Sequence, residues 1–127
     1  MDRPKILVVD DERPILHYMR ATLESWGHTV EIASDGSEAL ERALAQPFDA
    51  IICDLRMPRL GGREMYQQLA QRHPAVAERI IFATGDTVRG DTLRFLESLG
   101  RPFLHKPFTL AELRIVLAGV GAAARTT

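Results

Sequence analysis

The sequence predicts an α/β fold built on a five-stranded parallel sheet, and three observations predict it. Short apolar runs recur along the 127 residues, at positions 5–9, 30–33, 50–54, 80–83 and 103–105. Between them lie segments with apolar residues at spacings of three and four, the mark of a helix with one buried stripe. No linker, repeat or low-complexity segment interrupts the alternation. Five strands alternating with five helices argue for a parallel sheet covered on both faces through right-handed crossovers.

The first run, Lys5-Ile6-Leu7-Val8-Val9, is continuous and β-branched, as a central strand buried on both faces must be. It ends at Asp10-Asp11-Glu12, and Pro14 suits the first turn of the helix that follows. Ile15, Met19 and Leu23, flanked by Leu16 and Trp26, give that helix its apolar face, and Gly27 ends it. Val30-Glu31-Ile32-Ala33 alternates and is less apolar, which places it nearer the sheet edge. Asp35-Gly36-Ser37-Glu38 caps a helix burying Ala39, Leu40, Ala43 and Leu44, and Pro47 closes the unit.

The third strand, Ala50-Ile51-Ile52-Cys53, delivers a single carboxylate, Asp54, and Pro58 follows four residues later. After Gly61-Gly62 a helix with Met65 and Leu69 on one face runs to about His73-Pro74. Ile80-Ile81-Phe82-Ala83 delivers Thr84-Gly85-Asp86, and a fourth helix with Leu93, Leu96 and Leu99 ends at Gly100. Phe103-Leu104-His105 runs into Lys106-Pro107-Phe108. Thr109 and Glu112 then form a capping box opening a fifth helix with Leu110, Leu113, Leu117 and Val120. The tail after Gly121 is small and polar enough to fray.

With strand 1 central and strand 2 peripheral, a flavodoxin-like order 2-1-3-4-5 is the economical arrangement. Ligand crevices in such sheets open at the carboxyl ends of the strands where the order reverses, here between strands 1 and 3. Asp10, Asp11 and Asp54 all fall there. Three carboxylates in one crevice repel one another unless a cation compensates them. A hard divalent ion such as Mg2+ answers that need, taking one or two carboxylates and keeping several waters. The plainer reading is three solvated acids serving as turn and N-cap residues. Thr84 ends strand 4 and Lys106 follows strand 5, so both point toward the same rim. A hydroxyl, an ammonium and a cation around a carboxylate make a cradle for phosphoryl oxygens, and a carboxylate can itself be the nucleophile. Taken singly, Thr84 reads as a turn residue and Lys106 as a surface lysine; the five positions together argue for a site.

The set Val8-Val9-Asp10-Asp11-Glu12, Asp54-Leu55-Arg56-Met57-Pro58, Ala83-Thr84-Gly85 and Lys106-Pro107-Phe108 strongly resembles the receiver domain of two-component response regulators. The resemblance runs from about Lys5 to Val120, so residues 1–127 read as a single receiver domain with its core at about 5–120. It implies that Asp54 accepts a phosphoryl group from a histidine kinase or a histidine phosphotransfer protein. It implies that Asp11, Asp54 and the backbone carbonyl of Arg56 hold Mg2+, with Asp10 reaching it through water. Lys106 would pair with the phosphorylated carboxylate, Thr84 would bond a phosphoryl oxygen, and the Lys106–Pro107 bond would be cis. Phe103 matches the aromatic that swings inward when the switch threonine moves; a static core role is the equal alternative. The fourth helix, fifth strand and fifth helix would carry the output and would be the face for any homodimer.

Two neighbours of the site depart from the commoner pattern or tune it. Arg56, two residues after the acceptor, either overhangs the phosphoryl group or points to solvent. Gly85, beside Thr84, leaves room for a phosphodonor. The segments from Phe82 to Thr87, Phe95 to Glu97 and Gly100 to Phe108 look like receivers attached to hybrid histidine kinases, which slightly favours that origin over a single-domain regulator; Met1 fits either.

Composition bounds the alternatives. A formal net charge of -1 supplies no basic field for nucleic acid, and the chain stops too soon after its fifth helix for a DNA-binding output. No apolar run approaches the ~20 residues of a membrane span, and no signal-peptide pattern opens the chain. The single cysteine, Cys53, excludes an internal disulfide and fits a reducing cytoplasm. Its apolar strand makes it a buried, inert thiol. A Mg2+-dependent aspartyl-phosphate phosphohydrolase of the haloacid-dehalogenase kind would need Asp-x-Asp after strand 1 and a cap domain, and neither is present. A receiver-like interaction module without phosphorylation is disfavoured by the full set of phosphorylation residues. His17, His28, His73 and His105 are scattered without ligand spacing, so a donor histidine must come from a partner.

Overall fold

Five parallel strands form one sheet in the order β2-β1-β3-β4-β5 in the computed structural model, which describes residues 3–57, 59–85 and 90–126. The side chains of 121–126 are outside that description, as are Met1, Pro58, Asp86 and Thr87. The strands are β1 (Lys5–Val9), β2 (Thr29–Ala33), β3 (Ala50–Asp54), β4 (Ile80–Thr84) and β5 (Leu104–His105). Between and after them come α1 (Arg13–Ser25), α2 (Gly36–Ala45), α3 (Gly62–Arg72), α4 (Pro74–Ala77), α5 (Gly90–Ser98) and α6 (Leu110–Thr126).

Side chains alternate across a strand, so a run that is apolar throughout feeds two cores at once. Leu7, Val9, Ile51, Cys53, Ile80 and Phe82 pack on one face with Ala39, Ala43, Met65, Leu69, Phe95 and Leu96, the buried stripes of α2, α3 and α5. Ile6, Val8, Ile52, Ile81 and Leu104 pack on the other with Leu16, Met19, Leu23, Leu113 and Leu117 from α1 and α6. Both faces are therefore covered, and the central strands are buried along nearly their whole length.

The structure departs from the sequence reading at several points. Pro74 does not simply end α3 but opens a further short helix, α4, at the first turn, where its missing N–H costs nothing. The fourth and fifth predicted helices are therefore α5 and α6. Phe95, not Leu93, is the buried partner of Leu96 on α5; its ring meets Phe82 and Tyr66 edge-on at 5.5 and 5.6 Å between centroids. Such edge-to-face pairs add to area burial. Leu110, expected in the core, is exposed at the start of α6, and the apolar Ile115 is exposed as well. α6 runs through Thr126, past the fraying point expected at Gly121; Ala122, Ala123 and Ala124 have the highest intrinsic helix propensity. The capping box is present: Glu112 N–H donates to Thr109 Oγ1 at 3.0 Å, and Thr109 N–H to Glu112 Oε1 at 2.9 Å. The Lys106–Pro107 peptide is cis.

Candidate functional site

Strand register builds the site. Val9 pairs with Cys53 across β1 and β3, so the residues that follow, Asp10 and Asp54, emerge side by side at the carboxyl ends of the two strands. Asp54 pairs in turn with Ala83, and Thr84 with His105, which brings Lys106 to the same end of the sheet. The Lys106 N–H donates to the Thr84 carbonyl at 2.8 Å and fixes that register.

The structure draws Asp10, Asp54 and Lys106 into one cluster. Lys106 Nζ donates to Asp10 Oδ2 at 2.6 Å and lies 3.5 Å from Asp54 Oδ2. Asp10 is 3% exposed, and its second oxygen accepts from the Glu12 N–H at 3.0 Å. Burial pushes the Asp54 carboxyl above its ordinary value; the Lys106 charge opposes this, while Asp10 adds to it. Burial works against the Lys106 ammonium, yet the hydrogen bond to Asp10 and the charge of Asp54 outweigh it and hold the lysine more basic than usual. Burial, with Asp54 next to it, raises the Cys53 thiol far above the range in which a thiolate forms, so this cysteine is inert as expected.

Carboxylate oxygens that could hold a hard cation gather at the mouth of the crevice. One carboxylate oxygen from each of Asp10, Asp11 and Glu12 lies within 4.8 Å of the others. This set shares Asp10 and Asp11 with the expected grouping of Asp11, Asp54, the Arg56 carbonyl and Asp10 through water, and adds Glu12. In the sequence Glu12 reads only as the last residue of an acidic run. An all-oxygen, anionic set at the edge of solvent suits Mg2+, which binds through few carboxylates and retains water.

The remaining predicted residues take distinct places. Thr84 is buried at the end of β4. Arg56 is exposed on the loop after β3. Gly85 is exposed beside Lys106, and a Cβ there would lie 3.9 Å from the lysine side chain. Phe103 precedes β5, is half-buried against the α2–α3–α5 core, and has its ring 5.1 Å from that of His105. In the sequence Gly62 reads only as part of the glycine pair before a helix. A Cβ on it would fall 2.7 Å from the Asp54 carbonyl oxygen and 3.2 Å from the Phe82 ring, so only glycine lets α3 start directly beneath the strand end carrying Asp54.

Comparison with known proteins decides the family. The model of the response regulator receiver domain matches residues 6–118. The chain belongs to the response regulator receiver domain family. Receiver domains act in two-component signal transduction, so a signalling role follows for this domain. Response regulator MprA of Mycobacterium ulcerans is 38% identical over 109 residues, covering 86% of this chain and 46% of the relative. The chain thus spans about half the length of that relative. The Francisella response regulator 1452 receiver domain superposes with a TM-score of 0.83 at 28% identity, covering 98% of this chain and all of that one. The receiver domain of the Pseudomonas aeruginosa sensor histidine kinase PA1611, described with a magnesium ion coordinated in its active-site cleft, gives 0.84 at 30% identity over 95% of this chain and 99% of its own. Among the described residues, no helix of this receiver domain is long and apolar enough to cross a membrane.

Proposed function

We propose that this receiver domain takes a phosphoryl group from a phosphohistidine onto Asp54, and that Asp10, Asp11 and Glu12, with Asp54 and the Arg56 carbonyl, form the binding site for Mg2+. The observation that carries the reading is the Asp10–Lys106–Asp54 cluster beside the gathered carboxylates of Asp10, Asp11 and Glu12. In the transfer an Asp54 carboxylate oxygen attacks phosphorus, the new O–P bond forms, and the P–N bond to the donor imidazole breaks with its electron pair left on nitrogen. Bound Mg2+ supplies charge neutralisation for phosphoryl oxygens. Lys106 already lies within ion-pair reach of Asp54, so its ammonium stands ready to face the phosphorylated carboxylate. Thr84 is the hydroxyl that closes on a phosphoryl oxygen, and Phe103, half-buried next to β5, follows it inward by packing alone. Only this self-phosphorylation and the hydrolysis of the aspartyl phosphate, which releases inorganic phosphate to water, are assigned to the domain, with no turnover of a separate substrate.

The donor is a histidine kinase or histidine phosphotransfer protein, met in the cytoplasm, with no direct nucleic-acid or membrane contact by residues 1–127, which form a single domain. The α5–β5–α6 face carries the output and any homodimer; the exposed Leu110 and Ile115 on α6 support that use. The likeness to the receiver of the sensor histidine kinase PA1611 is compatible with an origin in a kinase, as the likeness to MprA is with an origin in a response regulator.

Label from a phosphorylated histidine kinase tests the reading: uptake occurs with Mg2+ and is lost in EDTA, and equal uptake in EDTA contradicts the metal assignment. Arg56, exposed two residues after the acceptor, tunes the phosphoryl lifetime. Arg56→Ala shifts the dephosphorylation rate severalfold with a melting change within about 0.5 kcal/mol, as for most surface substitutions; equal lifetimes count against it.

A further inference from the structure

The loop between β3 and α3 is gripped from the side by the start of α2. Its ends are fixed by the sheet and by α3: Leu55 N–H donates to the Ala83 carbonyl and Gly62 N–H to the Leu55 carbonyl, both at 3.0 Å. Between those ends, two contacts reach across to α2. Arg59 Nη1 donates to Asp35 Oδ2 at 3.1 Å, and the Leu60 carbonyl packs so close to Gly36 that a Cβ there would stand 2.0 Å from its oxygen.

Asp35 is built to hold still. It is 7% exposed, and its other oxygen accepts from the Glu38 N–H at 2.9 Å, capping α2. Glu38 answers by accepting from the Ser34 N–H at 2.8 Å, which closes the capping structure around Asp35. On the loop side, Arg59 has a φ of +67°, a left-handed conformation unfavourable for a residue with a side chain. Such a conformation persists where the surroundings over-determine it. The Arg59 side chain is 75% exposed, so its ion pair contributes little to global stability. What the contact does is fix where the loop lies.

We propose that Asp35 and Gly36 are positioning residues that clamp the β3–α3 loop, and through it set the affinity of the acidic crevice for a divalent cation. The inference rests on the Mg2+ reading above, because the same loop carries Arg56, whose carbonyl is one of the assigned ligands. A small displacement of the loop moves that carbonyl relative to Asp10, Asp11 and Asp54, and the affinity of a metal site depends on how firmly its ligands are held in place.

Two substitutions separate the clamp from ordinary helix energetics. Gly36→Ala puts a methyl against the Leu60 peptide, so a purely structural role predicts lower stability with the metal affinity of the folded chain unchanged. The clamp predicts that the new methyl displaces the Leu60 peptide and weakens Mg2+ binding about tenfold. Asp35→Asn keeps an effective N-cap and removes the charge that holds Arg59, so it weakens Mg2+ binding in the same direction by less. Ser37→Ala, exposed in the same turn, is the control. Mg2+ dissociation constants are read by NMR titration of the full chain well below its melting temperature. Weakened binding in the Gly36 and Asp35 variants with an unchanged control supports the clamp, and Asp35→Asn decides alone if Gly36→Ala does not fold. Unchanged affinity overturns the clamp and leaves the metal reading standing. No Mg2+ binding by the unsubstituted chain overturns both.

Discussion

Lys106→Ala loses about 2–3 kcal/mol of unfolding free energy in Mg2+-free buffer, measured by urea denaturation. The lysine is the positive charge that the structure places between Asp10 and Asp54, with Asp10 almost wholly enclosed. Removing it leaves two neighbouring carboxylates in a crevice without a counter-charge, and an unpaired buried charge costs more than the pair was worth. The figure sits below the range for fully buried pairs because Lys106 keeps about a fifth of its side chain in water. Millimolar Mg2+ restores part of the loss, since a cation that binds only the folded state stabilises by mass action. The variant also binds Mg2+ more tightly than the native chain, having lost a competing cation. Equal denaturation midpoints for the two proteins in EDTA contradict this account.

Asp54→Asn works in the opposite direction. Burial, reinforced by Asp10, raises the folded-state pKa of Asp54 in spite of Lys106, whereas the unfolded chain returns the carboxyl to its ordinary value. The folded protein therefore holds this proton more readily than the unfolded one. Stability linked to the group is fully present below the unfolded pKa and falls as pH rises through the folded value. At neutral pH the ionised Asp54 is a cost, and the amide removes it. The variant melts higher by roughly 3–5 °C at pH 7, on the order of 1 kcal/mol for a domain of this size. The advantage shrinks as pH falls into the carboxylate range, where the native aspartate takes up its proton. It also shrinks with Mg2+, which compensates the charge. A melting temperature unchanged or lowered by the substitution at pH 7 without Mg2+ counts against a strained acceptor site. An acid kept at a stability cost is what function, rather than folding, explains.

The sheet was legible because its signal is local. Runs such as Ile6 to Val9 and Ala50 to Cys53 are apolar at every position, as a strand covered on both faces requires, and the contrast with the alternating second strand put strand 1 at the centre and strand 2 toward the edge. The acids at strand ends were legible for the same reason, since parallel register carries Asp10 and Asp54 to one place. What escaped was whatever depends on approach between distant segments. Gly36 and Gly62 looked like ordinary helix starts, and their need for a missing Cβ appears only once Leu60 and Asp54 lie against them. Asp35 showed its capping role but not its second partner, Arg59, 24 residues away. On α5 Phe95 rather than Leu93 joins the core, and on α6 Leu110 stays out of it, because a helix's spacing pattern leaves the edges of its apolar face undetermined until neighbours are present. Pro74 gave the right local rule and the wrong consequence, because proline both halts one helix and opens the next.

The site assignment turns on one carboxylate. After incubation with acetyl phosphate and Mg2+, peptide mapping by mass spectrometry places a single phosphoryl group on the peptide carrying Asp54, and Asp54→Asn takes none. A native chain that remains unmodified under those conditions, or an adduct that persists in Asp54→Asn, contradicts the account.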